Sequence, residues 1–119
     1  MLLQQLGERF ALPLQVVGIP KTIDNDLEGT DFSPGFPSAA KYLASSLREV
    51  TLDVRSMAQQ RVFIMETMGR HVGWLTAACA LAALPGEAAP LLLLPEVAFD
   101  ESRLLAAVRQ RLAARGCCV

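Results

Sequence analysis

The chain has 119 residues, 52% of them hydrophobic and 19% charged, with a net charge of −1. That length makes one small domain or part of a larger one, and the apolar content argues against intrinsic disorder. Without a basic excess to neutralise a phosphate backbone, nucleic acid is a poor partner, whereas small phosphorylated ligands need only a few placed cations.

Leu2 to Phe10 has the pattern of the end of a helix, with neither the basic segment nor the small-residue cleavage site of a targeting peptide. Leu14 to Gly18 reads as a short buried strand. The polar stretch from Ile19 to Pro37 holds three of the seven prolines together with Gly29 and Gly35. A loop that long inside a compact domain is uncommon unless it is functional. Ser38 to Val54 is the clearest helix, because Ala40, Leu43, Ala44, Leu47, Val50 and Val54 recur on one face. Arg61 to Glu66 is β-branched and apolar, as a strand buried on both faces would be.

Arg70 to Leu84 is apolar nearly all round and reads as a buried helix, with Trp74 in the core. Its apolar run, Val72 to Leu84, falls short of the ~20 residues that cross a bilayer, so no membrane role is expected. Leu91 to Leu94 is another buried strand. Asp100 is placed to cap a helix that runs through Arg115, and Gly116 to stop it. Cys117-Cys118 then opens a strand rather than forming a redox or metal pair. With Cys79 the cysteines are three, an odd number without a disulfide framework, and a reducing, cytoplasmic setting is expected.

Such alternation implies an α/β three-layer sandwich with a mainly parallel sheet, in which Leu14–Gly18, Val62–Glu66 and Leu91–Leu94 are neighbours. The uncapped helical pattern at Leu2 and the strand only begun at Cys117 lead us to expect a partial domain over 1–119, incomplete at both ends.

In parallel α/β sheets ligands bind beyond the carboxyl ends of strands. Two segments lie there. Lys21-Thr22-Ile23-Asp24-Asn25-Asp26 packs a lysine, a hydroxyl and two carboxylates into one short run. These suit phosphoryl transfer to an alcohol: one carboxylate accepts the hydroxyl proton, a second approaches Mg²⁺, and the lysine and threonine steady the moving phosphoryl group. Asx residues equally build plain turns. The second segment, Met68-Gly69-Arg70, sits where a glycine opens a helix, a setting that collects anions with arginine as a clamp; a Gly turn with a solvated arginine fits it as well. Arg61 alone reads as a surface charge. His71, the only histidine, lacks partners at ligand spacing and reads as structural or solvent-facing.

Together these segments resemble the phosphofructokinase family. Pro20-Lys21-Thr22-Ile23-Asp24-Asn25-Asp26 is similar to its catalytic signature, and Met68-Gly69-Arg70 to its sugar-phosphate triplet. Gly29-Thr30-Asp31, Pro34-Gly35-Phe36, Ser38 to Tyr42 and Leu94-Pro95-Glu96 extend the likeness in order and spacing. The resemblance implies that Asp24 is the general base for the C1 hydroxyl of fructose 6-phosphate. It implies that Thr22 and Ile23 flank that base in the substrate pocket, and that Asp26 stands near Mg²⁺ and the donor. Met68, Gly69 and Arg70 would bind the sugar phosphate, and Arg61 would reach the sugar phosphate of a neighbouring subunit in a homo-oligomer.

Lys21 stands where pyrophosphate-dependent members carry lysine and ATP-dependent members usually carry glycine. The resemblance therefore favours pyrophosphate as donor for a glycolytic reaction that yields fructose 1,6-bisphosphate. An ATP-dependent enzyme is the alternative within the class. The alternative outside it is a fragment that only binds or makes oligomer contacts, because the family's glycine-rich donor loop is not among these residues.

Overall fold

The computed structural model describes residues 2–119; the first residue of the expected 1–119 unit lies outside them. In chain order the elements are α1 (Leu2–Arg9), α2 (Phe36–Ser56), β1 (Arg61–Val62), α3 (Trp74–Ala78) with a 3-10 turn (Cys79–Ala82), α4 (Glu101–Arg115) and β2 (Cys117–Cys118).

Local chemistry explains the helix ends. Gly35, at φ 100, precedes α2, and Pro37 occupies its first turn, where the missing N–H costs nothing. The helix thus starts two residues before the expected Ser38 and runs two beyond Val54. At α4 the expected caps are found: the Asp100 carboxylate accepts from the Arg103 amide at 3.0 Å, and Gly116 turns left-handed at φ 72. That amide and the Ser102 hydroxyl hold the Asp100 carboxyl below its ordinary range.

The sheet pairs β1 with β2 in parallel, Arg61 opposite Cys117 and Val62 opposite Cys118. The Phe63 amide continues the ladder to the Cys118 carbonyl at 2.9 Å, and the Leu91 amide reaches the Val119 carbonyl at 2.9 Å. The residues that open at Cys117 therefore lie between the 61–63 and 91 segments. This corrects the expectation that Val62–Glu66 and Leu91–Leu94 are direct neighbours; in layered α/β sheets sequence order and spatial order need not coincide.

Leu14–Gly18 forms no strand. It has the apolar composition, but a strand exists only when a partner takes up its backbone groups. No described segment pairs with it, and Val17 is 85% exposed. α1 packs on no other element extensively, although Leu14 folds back on Gly7. The radius of gyration is accordingly 20.7 Å, against ~13 Å for a compact domain of 100 residues.

The core lies between α2, the 3-10 turn and one face of the sheet. Leu47, Cys79 and Ala82 are buried, with Leu43, Phe63, Met65, Leu92 and Val119 packed around them. Phe63 and Met65 point inward while Ile64, between them, is 84% exposed. The expected strand buried on both faces is thus covered on one face by described residues. Burial raises the pKa of the Cys79 and Cys118 thiols, so these cysteines behave as small apolar side chains rather than nucleophiles.

The expected helix Arg70–Leu84 is shorter, for two reasons. Gly69 stands at φ 119 and turns the chain, and α3 begins only after Gly73. Past Ala78 the helix tightens into the 3-10 turn and ends at Ala82. Leu75, Cys79 and Ala82 face inward, but Trp74 and Leu81 lie on the open side, which corrects the expectation of a core tryptophan and of burial all round.

Two arginines of α2 tie it to the chain beyond the 3-10 turn. Arg55 reaches Glu87 at 2.8 Å, Arg48 pairs with the same carboxylate, and the Leu84 amide donates to it at 2.9 Å. The Leu84 amide, then Arg55 and Arg48, hold the Glu87 carboxyl down at about 2. No described helix is long and apolar enough to cross a membrane.

Candidate functional site

The loop between the exposed 14–18 segment and α2 is folded by its own polar side chains. The Thr22 hydroxyl accepts from the Asp24 amide at 3.1 Å, a short turn of the kind Ser and Thr favour. Asn25 then adopts φ 59, a left-handed conformation that asparagine tolerates better than most residues. Its side chain spans the loop: Nδ2 donates to the Asp31 carbonyl at 3.1 Å, and Oδ1 accepts from the Ser33 amide at 2.8 Å. The plain-turn reading of the Asx run therefore holds for Asn25 and leaves the two carboxylates on either side of it.

The start of the loop lies against the start of α2. Thr22 and Gly35 form an isolated parallel bridge. A Cβ on Gly35 would stand 3.2 Å from Lys21 Cε and 3.3 Å from Ile23 Cγ2. Only glycine allows this approach together with the positive φ. Lys21 thereby has its aliphatic stem supported on backbone while the residue as a whole stays exposed.

Burial separates the two aspartates. Asp26 is exposed, whereas Asp24 is half-buried and its Oδ1 is shielded from water without a hydrogen-bond partner among the described residues. A sequestered carboxylate oxygen with free lone pairs is the arrangement a proton acceptor needs, since a buried acceptor left unpaired is otherwise costly.

The second segment is anchored differently from expectation. Arg70 is not in the first turn of a helix but in the bend between Gly69 and Gly73. A Cβ on Gly69 would fall 2.4 Å from the Val72 carbonyl oxygen, so the bend requires glycine there. The amide of Gly73 is taken by Glu96, whose Oε1 accepts from it at 2.7 Å. That amide is therefore not open to an anion, and Arg70 beside it is exposed. The hydroxyls of Thr67 and Thr76 meet at 2.7 Å and tie the approach to the bend onto α3. Met68 is 66% exposed and His71 is exposed, as its solvent-facing reading had it.

Arg61 stands apart. It opens β1, at the end opposite to the one the Met68-Gly69-Arg70 turn follows, and its guanidinium reaches Gln59 at 3.5 Å. An apolar groove of about 700 Å³ lies between the first loop and α3, lined by Asn25 and Phe32 from the loop and by Trp74 and Ala77 from the helix. Phe32 and Phe36 stack there with centroids 6.4 Å apart.

No three His, Cys, Asp or Glu side chains cluster closely enough to hold a metal by themselves among the described residues. Mg²⁺ does not require that, because one or two carboxylates suffice when phosphate oxygens and water complete its octahedron. Asp26, which takes part in no salt bridge among the described residues, has the right chemistry.

Glu96 is the residue that reading along the chain did not assign. It belongs to the Leu94-Pro95-Glu96 motif, but its contact lies 23 residues back, at Gly73. The glycine at 73 was the available signal: a Cβ there would meet Glu96 Oε2 at 2.8 Å, Leu94 Cδ2 at 2.9 Å and Pro95 Cδ at 3.1 Å.

Comparison with known proteins places these features in context. The sequence profile of the family described as phosphofructokinase matches residues 1–117. A pyrophosphate--fructose 6-phosphate 1-phosphotransferase of Xanthomonas campestris pv. campestris is 55% identical over 118 residues, which are 97% of this chain and 28% of that protein. An ATP-dependent 6-phosphofructokinase of Corynebacterium efficiens is 42% identical over 98 residues, 82% of this chain and 27% of that protein. A crystal structure of a pyrophosphate-dependent phosphofructokinase from Marinobacter aquaeolei superposes with a TM-score of 0.85 at 46% identity, covering 97% of this chain and 30% of that one. The chain thus spans a little over a quarter of the length of the curated relatives it matches.

Proposed function

Because this chain belongs to the phosphofructokinase family, we propose that it carries the acceptor side of a pyrophosphate-dependent 6-phosphofructokinase. The reaction is transfer of a phosphoryl group from pyrophosphate to the C1 hydroxyl of fructose 6-phosphate, giving fructose 1,6-bisphosphate, in the cytoplasm. The activity is that of the protein in which these residues are joined to the rest of the domain, a donor loop included. One observation carries the reading: the shielded Oδ1 of Asp24, without a hydrogen-bond partner among the described residues, next to a lysine and a hydroxyl in a loop supported on α2.

The residues divide the work. Asp24 accepts the proton of the C1 hydroxyl as its oxygen attacks the phosphorus, and Thr22 and Ile23 shape the pocket around that proton. Lys21 compensates charge on the inorganic phosphate that leaves. Arg70 holds the sugar phosphate beside Met68 and Gly69, and Arg61 does so for a neighbouring subunit in a homo-oligomer. Asp26 would help to hold Mg²⁺, which when bound would supply charge neutralisation at the donor phosphates.

The test is Asp24→Asn in the full-length enzyme. The amide keeps the shape and loses the proton acceptor, so kcat should fall by roughly 10²–10⁴-fold, with the KM for fructose 6-phosphate within a few-fold of its parent. Steady-state kinetics in which kcat stayed near the parent value would remove Asp24 from the role of base. The relative in Corynebacterium efficiens supports ATP as a second reading of the donor, and assays with both donors decide between them.

A further inference from the structure

We propose that Glu96 is a positioning residue for sugar-phosphate binding, acting by holding the turn that presents Arg70. The inference rests on the reading that Arg70 contacts the sugar phosphate.

Three contacts define the turn. At its entry the Thr67 and Thr76 hydroxyls meet at 2.7 Å. Inside it, Gly69 at φ 119 lies so close to the Val72 carbonyl that no side chain fits. At its exit, the Gly73 amide donates to Glu96 Oε1 at 2.7 Å. The first two are internal to residues 67–76. Glu96 is the external one, and it comes from the end of the 91–94 segment, whose Leu91 amide is bonded to the Val119 carbonyl. Glu96 therefore references the Arg70 turn to the sheet.

The fit is close on both sides. Gly73 is buried and its missing Cβ makes room for Glu96, Leu94 and Pro95 together. A short bond from a backbone amide to a carboxylate is of the charge-assisted kind, stronger than a neutral one. Losing it frees the exit of the turn, and a long, exposed arginine on a loosened turn binds its anion with a larger ordering cost. The consequence falls on ground-state binding of the sugar phosphate and spares the proton transfer at Asp24, which sits on a different loop.

The experiment compares Glu96→Ala, Glu96→Gln and Gly73→Ala in the full-length enzyme, with Arg70→Ala as the reference. Glu96→Ala should raise the KM for fructose 6-phosphate roughly tenfold, about the weight of one hydrogen bond to a charged acceptor, with kcat within about threefold. Glu96→Gln keeps a carbonyl oxygen at the acceptor position and should recover most of the lost KM. Gly73→Ala, which expels the Glu96 carboxylate by crowding, should reproduce the Glu96→Ala phenotype. In an Arg70→Ala background Glu96→Ala should add no further rise in KM.

A lowered melting temperature with unchanged KM in Glu96→Ala would overturn the proposal in favour of a purely structural contact. So would a full, additive KM effect without Arg70. If instead Arg70→Ala leaves the KM unchanged while the parent enzyme is active, the assignment of Arg70 fails and the positioning role falls with it. An inactive parent tells against the proposed function itself, which keeps the two failures distinct.

Discussion

At the scale of single residues, the first loop shows how three side chains of similar polarity take different tasks. Asn25 uses both ends of its amide to close the loop onto Asp31 and Ser33, in a left-handed conformation that most residues resist. Asp24 keeps an oxygen away from water and without a partner among the described residues, while Asp26 faces solvent. Lys21 is held by its stem against Gly35, which leaves its ammonium as the variable to test. Lys21→Met preserves the stem and removes the charge. In the full-length enzyme it should depress kcat/KM for pyrophosphate by about ten- to hundredfold, the worth of a hydrogen bond to a charged group. The KM for fructose 6-phosphate should stay within a few-fold. Unchanged kinetics with pyrophosphate in the variant would detach Lys21 from the donor.

At the scale of elements, legibility follows the range of the forces involved. The α4 caps were readable because Asp100 and Gly116 act on backbone groups within a few residues. The Lys21–Asp26 run was readable because its chemistry is contiguous. Leu14–Gly18 was not, since apolar composition states that a strand wants burial but not which segment supplies its partner. The Arg70 turn was misread as helix because Gly69 and the contact from Glu96 override an apolar, helix-like pattern, and that contact spans 23 residues. The tie between α2 and Glu87 is equally non-local and has a pH signature. Glu87 is held at about 2 in the folded chain against an ordinary 4.5. A depressed carboxyl contributes stability that is complete above the unfolded value and is lost as pH falls toward the folded one. Glu87→Gln should therefore melt below the parent at pH 7, and the gap should narrow as pH is lowered from about 4.5 toward 2. A gap independent of pH over that range, followed by circular dichroism, would show that the charge of Glu87 is not what joins α2 to its neighbour.

At the scale of the whole molecule, the residues divide into a packed part and an open part. α2, the 3-10 turn and the inner sheet face share one core, while Val17, Ile19, Ile64 and Leu81 leave large apolar surface to solvent. The groove beside the first loop is lined by the start of α2, with Phe36 and Pro37, and by α3, with Trp74 and Ala77. The family was legible because its signatures lie in unbroken runs, and the comparisons bear it out over residues 1–117. The donor is the step that rests on the fewest residues, Lys21 chief among them. ³¹P nuclear magnetic resonance of the full-length enzyme with fructose 6-phosphate and Mg²⁺ reads that step directly. With pyrophosphate, its resonance should be lost as inorganic phosphate and a new phosphomonoester at C1 grow equally, and no such growth should follow when ATP replaces pyrophosphate. Consumption of ATP with pyrophosphate left intact would contradict pyrophosphate as the donor.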